Sequence, residues 1–264
     1  KLVTFYQKSG LQKVVRKVGF MELFPPFMKE MERSLPDPPR KRREQAAPAE
    51  KKTKVAFFAG CLMDTMFKET NRNTIDLLER LGCEVVIPKN QQCCGALQGH
   101  SGEMDRARRN AKANLEAFDL NGINYIVNNA GGCGAFLSEY DRLFENDPTL
   151  LTLAEQFVGK QIDISSLLVK LGIVDELLKQ PTTEATEIVT YQDSCHLRNV
   201  NGVKDEPREI LKAVKGSLFA EMPGAHLCCG SAGVYNLLQP EMASRILGSK
   251  MEEVKRVQAT TIIT

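Results

Sequence analysis

Short apolar runs alternate with stretches of helical periodicity from residue 54 to the end of the chain. Runs typical of buried strands lie at 55–59, 84–87, 125–128, 187–192, 217–222 and 260–264. Helical patterns lie at 68–82, 102–121, 134–145, 149–158, 163–179, 205–215 and 240–257. Strands that alternate with helices favour parallel sheets with helical crossovers, so the pattern predicts an α/β fold.

The first 53 residues follow a different pattern. Residues 1–33 read as helical, with Leu11, Val14 and Val18 near helical spacing, whereas 34–53 is rich in Pro, Lys and Arg, as exposed linkers are. The pattern divides the chain into four parts. We predict a helical arm and linker at 1–53, a first domain at 54–147, connecting helices at 148–185 and a second domain at 186–264.

Charge is unevenly distributed between this arm and the body. The net charge is +2, but residues 1–53 hold 13 Lys and Arg against 6 Asp and Glu, and the remainder holds 22 against 27. The basic residues are scattered and carry no nucleic-acid-binding motif, so we interpret the arm as a solvated linker without a nucleic-acid partner. No apolar run of about 18 residues and no secretory signal occurs, which predicts a cytoplasmic protein with at most a peripheral contact at the inner face of the membrane.

The cysteines mark an internal repeat. Cys61 and Cys195 are 134 positions apart, and the Cys-Cys-Gly triplets at 93–95 and 228–230 are 135 positions apart. A period of this length is too long for a solenoid and indicates a domain duplication. The sequence therefore predicts two tandem, pseudo-symmetric βαβαβ domains, each with a parallel sheet.

Seven of the eight cysteines follow predicted strands. The first copy holds Cys61, Cys93, Cys94 and Cys133, and the second holds Cys195, Cys228 and Cys229. The carboxyl ends of parallel strands meet at one edge of a sheet, so we expect each set to converge there. Without an export signal, such cysteines are more often metal ligands or redox thiols than a disulfide framework.

The spacing of these cysteines favours one kind of metal centre. Structural zinc sites usually draw on two close pairs of ligands, whereas these spacings are long and the close pairs are adjacent, which fits a [4Fe–4S] cluster better. A zinc-stabilised scaffold and a metal-free thiol redox site remain the alternatives. Cys83 has no counterpart in the second copy and is predicted to be a buried, inert thiol.

Polar residues flank the leading cysteines. His196 adjoins Cys195 and is a candidate auxiliary ligand or proton carrier, although a lone His beside a loop is more often a hydrogen-bonding residue. We interpret Asp64 and Asp193 as helix caps. No catalytic residue for an organic substrate is predicted.

The segments around the cysteines resemble the cysteine-rich CCG domain family, and most closely its glycolate oxidase iron–sulfur subunits. The resemblance covers 54–264 and rests on Phe58-Ala59-Gly60-Cys61-Leu62-Met63-Asp64, Cys93-Cys94-Gly95-Ala96-Leu97, Asn129-Ala130-Gly131-Gly132-Cys133-Gly134, Ser194-Cys195-His196-Leu197-Arg198 and Leu227-Cys228-Cys229-Gly230-Ser231-Ala232-Gly233-Val234-Tyr235-Asn236. The arm, with Tyr6-Gln7-Lys8-Ser9-Gly10-Leu11, resembles the segment that joins such a body to an amino-terminal ferredoxin domain, which is absent from this sequence.

The resemblance implies an electron-transfer subunit. Its cysteines would ligate iron, a partner subunit bearing FAD would oxidise glycolate to glyoxylate, and electrons would pass one at a time toward a quinone-type acceptor. The family also includes iron–sulfur subunits for lactate and glycerol 3-phosphate oxidation and a heterodisulfide-reductase-like thiol redox module, and these remain alternative functions.

Two departures from the family pattern affect the sites. Full motifs of the family end in Cys-x2-Cys, but Ala130 stands at the first of those positions, which favours a simpler cluster. Adding the repeat offset to Cys133 places its counterpart near position 268, beyond Thr264. We therefore expect the second site to hold only three cysteines in this sequence and to be incomplete.

Overall fold

The computed structural model describes residues 5–6, 9–33, 35, 53–180, 187–231 and 233–264. The predicted linker at 34–53 lies outside these residues except for positions 35 and 53. The strands are β1 (Thr53–Phe57), β2 (Cys83–Val86), β3 (Tyr125–Asn128), β4 (Gln161–Asp163), β5 (Val189–Tyr191) and β6 (Thr261–Ile263). The helices are α1 (Leu11–Lys17), α2 (Pro26–Arg33), α3 (Cys61–Met66), α4 (Lys68–Arg80), α5 (Ala96–His100), α6 (Met104–Ala117), α7 (Gly131–Leu137), α8 (Tyr140–Leu143), α9 (Pro148–Lys160), α10 (Ile164–Lys170), α11 (Ile173–Leu178), α12 (Cys195–Asn199), α13 (Glu206–Lys215), α14 (Tyr235–Leu238) and α15 (Pro240–Arg256).

The first sheet confirms the predicted parallel α/β architecture. Its four strands lie in the order β2-β1-β3-β4, and every neighbouring pair is parallel. Val55 of β1 pairs with Val85 on one side and Tyr125 on the other. Because all four strands run the same way, the loops that follow them gather at one edge of the sheet.

Strand β1 is buried on both faces, so successive side chains enter two separate apolar clusters. Val55 and Phe57 pack on one face with Leu167 of α10. Ala56, and Phe58 just beyond the end of the strand, pack on the opposite face with Phe157 of α9. This alternation is the period of two expected for a strand covered by helices on both sides. Burying each of these large side chains stabilises the fold by roughly 1.5–3 kcal/mol.

The region 148–185 contains more than the predicted connecting helices. Helix α9 begins at Pro148, and Asp147 caps it: the Asp147 carboxylate accepts a hydrogen bond from the Leu150 N–H at 3.2 Å. β4 follows α9 directly and adds a fourth strand to the first sheet. A strand of three residues between two helices leaves no alternation to detect, which is why the hydrophobic pattern missed it.

The second half is built on a smaller sheet. β5 and β6 pair in parallel, with Thr190 opposite Ile262. The strand predicted at 217–222 is wrong, because this segment makes only an isolated bridge between Phe219 and Val189. A short 3-10 helix occupies Gly216–Leu218, and Met222 already belongs to a turn in which it accepts from the Ala225 N–H at 3.1 Å. Too few residues remain between these turns for a full strand.

The two halves pack against each other through α13. Ile210 of α13 joins the apolar cluster of the first half that contains Leu167. The Ser166 hydroxyl of α10 also donates to the Glu206 carboxylate at 2.9 Å. The two copies are therefore joined by direct side-chain contacts as well as by the chain.

The amino-terminal arm forms two short helices. Arg16 of α1 forms an ion pair with Glu32 of α2 at 3.0 Å, and the Tyr6 hydroxyl donates to the same carboxylate at 3.1 Å. These contacts fold the arm back on itself. Among the residues that the structure describes, no helix combines the length and the apolar character needed to cross a membrane.

Candidate metal centre

Cys61 is the first residue of α3, directly after the turn that follows β1. Gly60 precedes it with a φ of 68°, a left-handed conformation that favours glycine. The backbone N–H of Leu62 donates to the Cys61 sulfur. The Cys61 side chain is exposed, so this corner of the site faces solvent.

The first Cys-Cys-Gly triplet lies in the loop after β2. Gly95 has a φ of 92°, and a Cβ at this position would stand only 3.3 Å from the Ala107 carbonyl oxygen of α6. Only glycine therefore fits this turn without strain. The Gly95 N–H donates to the Cys93 sulfur and the Ala96 N–H donates to the Cys94 sulfur.

Cys133 lies in the first turn of α7, directly after β3. A Cβ on Gly60 would stand 4.0 Å from the Cys133 sulfur, which places Cys133 against the Cys61 turn. Cys133 also joins the apolar cluster around Phe58 as a partly buried member. The strand order of the sheet thus delivers this thiol to the same edge as the other three.

The four thiols of the first half are linked by a chain of contacts that runs from Cys61 to Cys93, Cys94 and Cys133. The Cys61 sulfur lies 3.5 Å from that of Cys93, and Cys94 donates to Cys133. Donation from Cys61, with further hydrogen bonds from Cys94 and Gly95, lowers the pKa of Cys93. Donation from Cys94 lowers the pKa of Cys133 in the same way, and the pKa of each donor thiol is raised correspondingly. Cys93 and Cys133 are therefore predisposed to be thiolates, the form that binds metals.

An open cavity of about 600 Å³ adjoins the exposed side of this site. Cys61 and Cys93 line it, together with Asp64, Lys89 and Gln91. The opposite side is closed, because Cys94 is only 3% exposed and packs in the apolar core. The site therefore has one wet side and one dry side.

Cys83 lies away from these thiols, as its lack of a counterpart predicts. It begins β2 and is fully buried in the cluster with Val55 and Leu78. Burial raises the pKa of its thiol. It is thus placed as a packing residue.

The second half brings its three cysteines together. Cys195 begins α12 after β5, and its thiol hydrogen-bonds to Cys228. The Gly230 N–H donates to the Cys228 sulfur at 3.3 Å, which matches the contact between Gly95 and Cys93 in the first triplet. Burial, followed by the charges of Cys228 and Cys229, raises the pKa of Cys195.

The polar neighbours of the leading cysteines are placed differently from the sequence interpretation. Asp193 does not cap α12, since its carboxylate, 1% exposed, pairs with Arg208 at 2.8 Å and with Arg198 at 3.3 Å. Burial raises the pKa of Asp193, but the hydrogen bond and charge of Arg208 outweigh burial and leave it below its ordinary value. The His196 ring lies 5.2 Å from the ring of His100 in the first half, a contact that sequence reasoning missed.

The donor set of the first half fits an iron–sulfur cluster in its chemistry. Four thiols surrounded by backbone N–H donors are the groups that hold and tune [4Fe–4S] clusters. Among the described residues, no group of three or more His, Cys, Asp or Glu side chains is placed to hold a metal ion. The thiols hydrogen-bond directly to one another, so a cluster inserted among them must move them apart. The assignment of Cys61, Cys93, Cys94 and Cys133 as ligands therefore stays a prediction, as does that of the second set and of His196.

Two tandem parallel-sheet domains, each with a Cys-Cys-Gly triplet, define a class of cysteine-rich proteins. Comparison with known proteins places the chain within that class. The chain belongs to the cysteine-rich CCG domain family, whose profile matches residues 55–138 and 189–264. The profile of the linker region of the glycolate oxidase iron–sulfur subunit matches residues 1–35.

Individual relatives agree with this family. The chain is 48% identical over 271 aligned positions to the probable glycolate oxidase iron–sulfur subunit of Bacillus subtilis, and the match covers all of the chain but only 60% of that relative. It is 34% identical over 211 positions to lactate utilization protein A of Oceanobacillus iheyensis, covering 80% of the chain and 84% of the relative. Lactate utilization protein A of Bacillus subtilis is 33% identical over 210 positions.

Proposed function

We propose that this chain is part of an iron–sulfur electron-transfer subunit of a glycolate-oxidising complex. Cys61, Cys93, Cys94 and Cys133 would hold a [4Fe–4S] cluster, with Cys195, Cys228 and Cys229 contributing to a second site. The observation that carries this proposal is the meeting of four thiols at one sheet edge, with backbone N–H donors on their sulfurs. The similarity to the Bacillus subtilis protein supports glycolate as the substrate of the complex.

The residues of the chain have distinct tasks in this function. A bound [4Fe–4S] cluster supplies one-electron redox chemistry. The N–H groups of Leu62, Gly95 and Ala96 point at the sulfurs and stabilise negative charge there. The buried wall around Cys94 excludes water, and the cavity beside Cys61 leaves an open side for a redox partner.

Oxidation of the organic substrate belongs to a partner in this proposal. A subunit that carries FAD would oxidise glycolate to glyoxylate and release electrons singly to this chain, which would pass them toward a quinone-type acceptor. An amino-terminal ferredoxin domain of the same subunit would share that path. We place the complex in the cytoplasm, with at most peripheral contact at the membrane.

Lactate is the second candidate substrate. Two relatives named lactate utilization protein A match four fifths of the chain, although at 33–34% identity against 48% for the glycolate oxidase subunit. The cysteine site is the same in either case, because no described residue of this chain is assigned to bind the hydroxy acid. The choice between substrates therefore depends on the flavin partner.

The first experiment identifies the metal. The natural full-length protein and its Cys94→Ser variant would be purified without oxygen, and their iron, sulfide, zinc and visible spectra compared, so that the contribution of the ferredoxin domain cancels. We expect more iron and sulfide in the wild type, with a stronger brown absorption band that dithionite bleaches. Zinc in place of iron at these cysteines would support the scaffold instead, and metal-free cysteines that form a disulfide and take up two electrons per disulfide would support a thiol redox site.

The second experiment identifies the substrate. The protein would be mixed anaerobically with its flavin partner and given glycolate or lactate. We expect glycolate to bleach the cluster band faster than lactate at equal concentration. The reverse order would replace glycolate by lactate while leaving the electron-transfer function in place.

A further inference from the structure

The two cysteine sites are brought together by a close contact between α7 and α12. A Cβ on Gly131 of α7 would stand 2.5 Å from the Ser194 Oγ and 3.0 Å from the Leu197 Cβ. The Ser194 hydroxyl could rotate away from such a Cβ, but the Cβ atoms of Leu197 and Ser194, at 3.0 and 3.2 Å, are fixed to α12 and its cap, so any other residue at position 131 would shift α12 by a few tenths of an ångström. The glycine is not required by its own backbone, because its φ is not left-handed. It is required by the neighbouring half.

Further contacts surround this one. A Cβ on Gly132 would stand 3.6 Å from the His196 Nδ1, and the rings of His196 and His100 lie 5.2 Å apart. A Cβ on Gly233, in the loop after the second triplet, would stand 4.0 Å from the Leu97 Cδ2 just after the first triplet. Residues next to the cysteines of each half thus touch residues next to the cysteines of the other half.

The contact joins the two sites by a short route. Cys133 is two residues from Gly131, and Cys195 is the residue directly after Ser194. Both cysteines lie in the first turns of the helices that touch. The path between the two sites therefore consists of three peptide units and one van der Waals gap.

We propose that Gly131 is a positioning residue that sets the separation of the two cysteine sites, so that they act as one electron-transfer unit. This inference rests on the proposed function. In such a unit one electron leaves the reduced group at one site and enters the oxidised group at the other, with no bond made or broken. Reduced flavin of the partner supplies the electrons in the complex, and dithionite supplies them in the test.

Substitutions can probe the gap without touching a cysteine. Gly131→Ala fills it, and the closely packed core gives α12 little room to adapt. Gly159→Ala is the matched control, because Gly159 also lies in a helix but has no atom within 4 Å of an added Cβ. The double variant Gly131→Ala/Ser194→Gly removes the two Ser194 contacts and leaves that with the Leu197 Cβ, so it reopens the gap in part. The Ser194 side chain makes no capping hydrogen bond that would be lost. A rescue of this kind shows that two residues act through their contact.

The experiment measures the magnetic interaction between the two sites by electron paramagnetic resonance. The natural full-length protein would be loaded with iron and sulfide and fully reduced with dithionite. We expect the wild type and Gly159→Ala to show a spin–spin splitting that a Cys228→Ser variant lacks, which assigns it to the second site rather than to the ferredoxin domain alone. Gly131→Ala should reduce this splitting at unchanged iron content, and the double variant should restore it in part. Hydrogen exchange of the metal-free proteins should show faster exchange in α7 and α12 for Gly131→Ala alone.

Each remaining outcome also decides the question. Iron that is unchanged in Cys228→Ser, or a wild-type splitting that is the same in Cys228→Ser, would overturn the inference and leave the proposed function of the first site standing. Splitting unchanged in Gly131→Ala would also overturn it. If Gly131→Ala does not fold, the double variant decides: a folded double variant without splitting refutes the positioning role. Absence of iron from the wild type would instead refute the proposed function.

Discussion

The two halves of the body carry the same cysteine motif on unequal frameworks. The first half has a four-stranded sheet with apolar clusters on both faces, whereas the second has two strands and a buried cluster of Met222, Ala225 and Val254. Ile126 in β3 is fully buried, but Ile262, at the equivalent position in β6, is 39% exposed. The copies therefore differ in how much apolar surface supports each site.

The triplet geometry is nevertheless the same in both halves. Gly95 and Gly230 have φ angles of 92° and 85°, and the N–H of each donates to the sulfur two residues earlier. A Cβ on either glycine would meet a backbone oxygen of the following long helix. The turn is thus fixed locally by glycine, whereas the burial of the thiols depends on the surrounding sheet. This contrast can be tested by four sets of substitutions.

The largest expected effect is the loss of iron from the first site. Cys94→Ser replaces a buried thiol by a hydroxyl, which binds iron poorly. We expect the iron of the first site to be lost while residues 187–264 keep their resistance to limited proteolysis. Cys83→Ala is the control, because it alters a buried cysteine outside the site: it should keep all iron and cost about 1 kcal/mol of stability. Unchanged iron in Cys94→Ser would remove this cysteine from the ligand set.

The next effect compares the two sheets at equivalent positions. Ile126→Ala leaves a cavity in a closed core and should lower the free energy of unfolding by about 2–5 kcal/mol. Ile262→Ala removes a side chain that already meets solvent, and should cost less than about 1 kcal/mol. Chemical denaturation measures both values. Equal costs would show that β6 is as well covered as β3, contrary to the structure.

A smaller effect concerns a charge network that only the second half has. The Asp193 carboxylate joins Arg208 and Arg198, whereas Ala59 occupies the corresponding position before Cys61. Asp193→Asn should cost about 1.5–3 kcal/mol, because Arg208 loses charged hydrogen bonds but keeps Glu221. Glu221→Gln alters the exposed end of the same network and should cost less than about 1 kcal/mol. If Glu221→Gln lowered the free energy of unfolding more than Asp193→Asn, Glu221 rather than Asp193 would be the main partner of Arg208.

The smallest effect lies in the first half and depends on pH. Burial raises the pKa of Asp163, and the hydrogen bonds from Ser165 only partly oppose it. A carboxyl group with a raised pKa in the folded state is most favourable when protonated, so stability is lost as pH rises from about 4 through the folded value. Asp163→Asn keeps a capping oxygen and removes this dependence. The free energy of unfolding of the variant should therefore rise relative to that of the wild type between pH 4 and pH 7, by less than about 1 kcal/mol. Chemical denaturation at several pH values measures the difference. A variant that is more stable than the wild type only below pH 4 would contradict a raised pKa of Asp163.

Local sequence features predicted much of the fold. The strands at β1, β2 and β3 and the long helices α6 and α15 follow directly from apolar runs, periodicity and glycine stops. The repeat of Cys-Cys-Gly indicated two copies because such a triplet is rare by composition. The convergence of the thiols followed from the rule that parallel strands end at a common edge.

Other features depend on contacts that no local pattern contains. β4 is too short to show a period, and 217–222 has an apolar pattern but lies between two turns. The ion pairs of Asp193 and the ring contact of His196 join residues that are distant in sequence. The sequence shows Gly131 only as a neighbour of Cys133. Its contact with Ser194 joins the two halves of the repeat, and no pattern within one half predicts it.

The late position of α9 and β4 has a consequence for how the protein is made. A chain leaves the ribosome from its amino terminus, and domains generally fold as they emerge. Cys133 emerges well before Phe157 and β4, which complete one apolar cluster and the sheet. All four thiols of the first site are therefore outside the ribosome while the sheet beneath them is still unfinished. If these thiols hold a cluster, as proposed, the complete site would form only after residue 163 has left the ribosome.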